Sequence, residues 1–129
     1  MKQKIFFSIA GLSGALAVII GAFGAHALKT KLSSEQLQTF ETGVRYQMYH
    51  TFALIAVAFL FDKYNNGLLR YSGYLFTIGI VLFSGSLYLL ATKSLFGIES
   101  WAWLGPITPL GGLCFIIGWT LFLINFLKK

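Results

Sequence analysis

Acidic residues, cysteine and proline are all scarce in this chain. Of 129 residues, four are Asp or Glu, one is Cys and two are Pro. A single cysteine, Cys114, excludes a disulfide scaffold. Charged residues make up 11%, against roughly a quarter in an ordinary soluble domain. The 57% hydrophobic content excludes a disordered chain. A 14.3 kDa globule has too little interior to hide that much apolar surface from water. What the chain does have is long uncharged runs and 13 Phe. The bilayer is the solvent that fits them, and the length allows one transmembrane domain, 1–129.

The first uncharged run, Ile5–Leu28, would rise about 36 Å as a helix, more than the ~30 Å hydrocarbon core. Lys2 and Lys4 before it and Ala25-His26-Ala27 at its end imitate a signal peptide. The run is longer than the roughly 7–15 residues of a signal h-region, so it reads as a span. Ser33 and Gln36 stand in capping-box spacing, which predicts a helix from about Ser34. Its amphipathic start lies at the interface and leads into a second span over 44–61. Asp62–Gly67 is a short polar turn, followed by a third span over 70–91. Trp101 and Trp103 suit a headgroup-level loop. Thr108 as N-cap and Pro109 as first helical residue then open a fourth span over 109–127. The expected fold is an all-α, four-span membrane bundle.

Six of the ten basic residues fall on the side of the two termini and four on the other. By the positive-inside rule both termini are cytoplasmic. The net charge of +6 then serves insertion and contact with membrane lipids. No basic domain or groove remains to bind nucleic acid.

Small residues let membrane helices approach closely. Ala10, Gly14, Ala17, Gly21 and Ala25 form a stripe on the first helix, Gly79 and Ser86 one on the third, Gly111 and Gly118 one on the fourth. Since a lone bundle needs one inward face per helix, these stripes together with His26 predict a homo-oligomer.

Polar residues inside spans default to a functional reading. Under the expected topology all four helices bring theirs to the outer leaflet: His26 from the first, Tyr46, Gln47 and His50 from the second, Ser84, Ser86 and Tyr88 from the third, and Thr108 with Pro109 from the fourth. Tyr46 and His50 share a helix face, as do Ser84 and Tyr88. Gly105-Pro106-Ile107-Thr108-Pro109 reads as irregular backbone, tolerated at membrane depth only where it is buried or faces water. Two readings stand. One is a small ligand site built from these nine residues. The other is a polar plug, with Gln47, His50, Ser84 and Tyr88 bonding one another to fix helix register.

His26 and His50 also invite a bis-imidazole haem, non-covalent because Cys-x-x-Cys-His is absent. With Met48 they suggest copper, although Cys114 lies too far into the fourth helix to join them. The leading reading assigns no catalytic residue, metal or cofactor. Ser-His-Asp arrangements and paired carboxylates are missing, and each of Glu35, Glu41, Asp62 and Glu99 lies in a loop or near a helix end. That argues against proton-coupled transport. The two halves share no clear motif, which argues against an inverted-repeat transporter within one chain and leaves a pore or carrier formed by an oligomer as a third class.

Four segments in order carry a resemblance: Gly-Ala-Phe-Gly-Ala-His at 21–26, Tyr-Gln-Met-Tyr-His at 46–50, Phe-Ser-Gly-Ser-Leu-Tyr at 83–88 and Gly-Pro-Ile-Thr-Pro-Leu-Gly-Gly at 105–112. The chain resembles the bacterial membrane family known as domain of unknown function 423, or uncharacterised protein family 0382, to which human transmembrane protein 256 is related. The resemblance covers nearly the whole chain. It implies a small four-span protein of the cytoplasmic membrane and no established activity. The expected function is therefore non-enzymatic binding of a lipid-like or small hydrophobic ligand, or of a protein partner, at the outer-leaflet site.

Overall fold

In the computed structural model, which describes residues 2–128, four helical rods are each long and apolar enough to cross a membrane. Helix α1 is Lys2–His26 and α2 is Ser34–Tyr64. The third rod joins α3, Gly67–Gly79, through a π-helical turn, Ile80–Ser84, to α4, Gly85–Phe96. Helix α5 is Leu104–Leu127. No strand occurs among the described residues.

Local chemistry sets the ends. Ser33 Oγ accepts from the Gln36 amide at 3.1 Å while Gln36 returns its Oε1 to the Ser33 amide at 2.9 Å, completing the expected capping box. The α2–α3 turn needs a left-handed residue, and Asn65 supplies it at φ 43°. Asn66 then caps α3 by accepting from the Leu69 amide and donates its Nδ2 to Asn125 Oδ1, tying the turn to α5. Gly97, at φ 65°, ends α4.

Helix α5 corrects the expected fourth-helix start. It begins at Leu104 rather than at a Thr108 cap, and Pro109 lies inside it. Pro106 falls in the first turn, where amides have no intrahelical partner, so its missing N–H removes nothing. Pro109, inside the helix, gives up the bond to the Gly105 carbonyl. The segment is regular helix, not the irregular backbone expected.

Helix α1 packs antiparallel along α2, and α5 along α3 and the π-helical turn. The α1–α2 register runs from Gln3, whose Nε2 donates to Asp62 Oδ1 at 2.9 Å, through Gly14 against Thr51 and Gly21 against Val44, to Gly24 against Phe40. The small residues thus meet their own chain. Gly79 faces the Phe115 ring, Gly111 faces the Phe83 backbone and Gly118 faces Phe76. Ala25 of the expected α1 stripe is exposed and Gly24 takes the packed position. One apolar core gathers Phe6, Ala10, Leu54, Val57, Phe76 and Phe115; a smaller one, Leu28, Leu32, Phe40 and Ala91, sits at the loop end. Outward residues are apolar too: Val18 and Ile116 are each 64% exposed, as lipid contact requires.

Candidate functional site

Gln47 bridges three helices. Its Nε2 donates to the Ser13 carbonyl at 2.9 Å and its Oε1 accepts from the Tyr88 hydroxyl at 2.6 Å. Thr51 donates to the Gln47 carbonyl at 2.7 Å, so the Ser13 hydroxyl must donate to Thr51 Oγ1, 2.8 Å away. Ser84 donates to the Gly43 carbonyl at 2.7 Å. Ser86 donates to the Phe83 carbonyl, which leaves Thr108 as donor in the 2.5 Å pair with Ser86. Among the described residues no buried side-chain nitrogen or oxygen lacks a partner. Gln47 and Tyr88 therefore bond each other as the plug reading expects, while Ser84 and His50 bond elsewhere. Sequence reasoning missed Ser13, a small hydroxyl inside the small-residue stripe, three residues after Ala10 and four before Ala17.

His50 turns toward α5. Its Nδ1 lies 2.7 Å from the Tyr46 carbonyl, and Trp119 Nε1 donates to its Nε2 at 3.1 Å. An indole N–H can only donate, so Nε2 accepts and Nδ1 carries the hydrogen toward Tyr46. The imidazole stacks on Phe115 with ring centroids 3.5 Å apart and planes 7° apart. Trp119 was not among the expected site residues, because its surroundings read as plain apolar helix. Its register signal is its spacing of four from Phe115.

The two histidines do not meet. Gly24 faces Phe40 and Gly14 faces Thr51, so exposed His26 lies past the level of Phe40 while His50 lies near that of Gly14. They are separated by more than ten residues of helix, on the order of 15 Å along the axis. Among the described residues no group of three or more His, Cys, Asp or Glu converges to hold a metal. Pro109 is exposed on α5.

A lateral groove of about 480 Å³ opens between α2, the π-helical turn and α5. Tyr46, Tyr49, His50, Phe83, Phe115 and Trp119 line it. The turn contributes Phe83, and single π-turns inside helices recur at functional sites. Tyr46 and Tyr49 lie one and four residues beyond Arg45, the last charge before the span on α2, roughly 1.5 and 6 Å of rise toward its middle. Among the described residues neither hydroxyl meets a hydrogen-bond partner. A depression of about 680 Å³ lies at the opposite end beside the α2–α3 turn, where Asn66 and Asn125 already bond each other.

Four spanning helices, an internally satisfied polar network and an apolar exterior define a multi-pass membrane protein. The profile of the family described as Protein of unknown function (DUF423) matches residues 20–112. The chain is 44% identical to UPF0382 membrane protein YwdK of Bacillus subtilis over 127 residues, covering 98% of each chain. It is also 44% identical to a UPF0382 membrane protein of Haemophilus influenzae, covering 92% of this chain and 90% of that one. Against UPF0382 inner membrane protein YgdD of Escherichia coli it is 34% identical, covering 99% of this chain and 93% of that one. No solved structure matches it. The chain belongs to this DUF423, or UPF0382, family of membrane proteins.

Proposed function

We propose that the protein is a non-enzymatic binder of a small, largely apolar molecule with a hydrogen-bond acceptor, held in the groove between α2 and α5. The observation that supports this reading is the pair of unpartnered hydroxyls of Tyr46 and Tyr49 on a groove wall at the loop end of the span. Hydrocarbon supplies no acceptor, and polar groups there are costly until satisfied. A carbonyl or ether oxygen on a membrane-dissolved ligand satisfies them. The stacked His50 and Phe115 rings form an aromatic wall beside it. Both imidazole nitrogens are engaged within the chain, so His50 acts here as wall rather than as base or metal ligand. The same reading puts both termini in the cytoplasm and the protein in the cytoplasmic membrane, on the six-to-four split of basic residues.

The test is to extract the protein in mild detergent from its own membrane and identify co-purifying molecules by mass spectrometry. Wild type is expected to carry an apolar species enriched over the bulk lipid extract, and the Tyr46→Phe/Tyr49→Phe double variant to lose it. Equal recovery from both overturns the reading. A Soret band in the same sample would instead favour haem.

A further inference from the structure

A second groove, of about 490 Å³, lies at the loop end between α1 and α4. Its walls include Phe23 of α1, Leu28 and Lys31 of the connecting loop, Phe40 of α2, and Leu89 and Phe96 of α4. The floor is fixed: Leu28 and Phe40 are each 4% exposed and belong to the loop-end core. The rim is open, with Phe23 56% and Phe96 68% exposed.

The polar atoms of this groove are already spoken for, with one exception. Thr92 donates to the Tyr88 carbonyl at 2.7 Å, and the Tyr88 hydroxyl donates to Gln47. That leaves the ammonium of exposed Lys31, which meets no carboxylate among the described residues. No acidic side chain lines the groove. On α4 the lining runs from Phe96 at the loop back to Tyr88, eight residues or roughly 12 Å of helix rise into the bundle. A cation thus stands at the surface end of an apolar trough that descends along the helices, which is the shape and polarity of one amphiphile.

We infer that this groove holds a single anionic phospholipid, with its phosphate at Lys31 and an acyl chain along Phe23, Phe40 and Leu89. Charge complementarity selects the headgroup. A zwitterionic lipid would bring an ammonium to a site with one cation and no lining carboxylate, whereas a phosphatidylglycerol brings only its phosphate charge. The site is separate from the α2–α5 groove, so either stands without the other.

The experiment uses the full chain in mild detergent, titrated with phosphatidylglycerol or phosphatidylcholine and read by native mass spectrometry. Wild type is expected to retain one phosphatidylglycerol more tightly than phosphatidylcholine. Lys31→Gln is expected to weaken phosphatidylglycerol retention about fivefold, the effect of one surface cation near an anionic lipid, and to leave phosphatidylcholine unchanged. Lys63→Gln, at the opposite end of the bundle, is the control and should change neither. A diazirine-tailed phosphatidylglycerol should cross-link to α1 or α4 within the groove. Equal retention of the two lipids by wild type, unchanged retention in Lys31→Gln, an equal loss in Lys63→Gln, or cross-links confined to α5 would each overturn the inference.

Discussion

Trp119 donates its indole N–H to His50 Nε2 at 3.1 Å, so α5 and α2 are joined by a hydrogen bond between two aromatic rings within the span. The bond decides the tautomer of His50, and with Phe115 it holds the ring flat against the groove. Trp119→Phe keeps most of the apolar surface and removes the donor. It is expected to destabilise the fold by about 1 kcal/mol, within the range measured for interhelical bonds in membranes. Reversible unfolding in detergent reads the change; a stability equal to wild type would show that the bond contributes nothing.

Gln47 and Tyr88 should be energetically coupled. Gln47→Leu strands the Tyr88 hydroxyl, and Tyr88→Phe strands Gln47 Oε1. A double-mutant cycle of the two is expected to give a coupling of about 0.6 kcal/mol. Strict additivity would mean that the contact does not hold α2 to α4.

Glycines should differ by position rather than by chemistry. A Cβ at Gly111 would run into the backbone of Phe83, which has no rotamer to yield, whereas one at Gly11 meets nothing within 4 Å. Gly111→Ala is expected to cost about 1–3 kcal/mol as overpacking, and Gly11→Ala to be neutral or slightly stabilising. Parallel thermal unfolding of the two variants checks the order, and similar losses would contradict the packing described.

Topology has its own readout. A reporter fused after Lys129 is expected to be active only in the cytoplasm. Activity of a periplasmic or extracellular reporter at that position would invert the bundle and put the Lys31 groove in the inner leaflet.

The four spans were legible because uncharged runs and caps are local properties. The Ser33–Gln36 box is readable from two residues alone, and it is present as expected. Register was not legible. His26 and His50 both belong to helices that approach the same loop end, which made them look like neighbours. The depth of each within its helix depends on how α1 slides against α2, and Gly24 against Phe40 fixes that only in three dimensions. Trp119 escaped for a related reason: an indole in an apolar run carries no sign of which neighbour will accept from it. Pro109 misled because a proline near a helix start forfeits only one backbone bond, a loss that the rest of the 24-residue helix carries. The unpartnered Tyr46 and Tyr49 hydroxyls became visible only once the buried polar groups had been traced to their partners.

The π-helical turn at Ile80–Ser84 also constrains how the gene can vary in length. One surplus residue in a turn advances everything beyond it by about 100° relative to an unbroken α-helix. Below the turn the rod presents Ser72, which donates to the Gly118 carbonyl of α5; at its end Ser84, and above it Tyr88, face α2. Losing a single codon within 80–84 would leave the hydrophobic span intact and close the turn into ordinary helix. It would also swing Tyr88 away from Gln47 and detach α2 from the upper half of the rod. The length of this stretch therefore matters more to the fold than its apolar composition suggests: exchanging one aliphatic residue for another should be tolerated there, and a single-residue deletion should not.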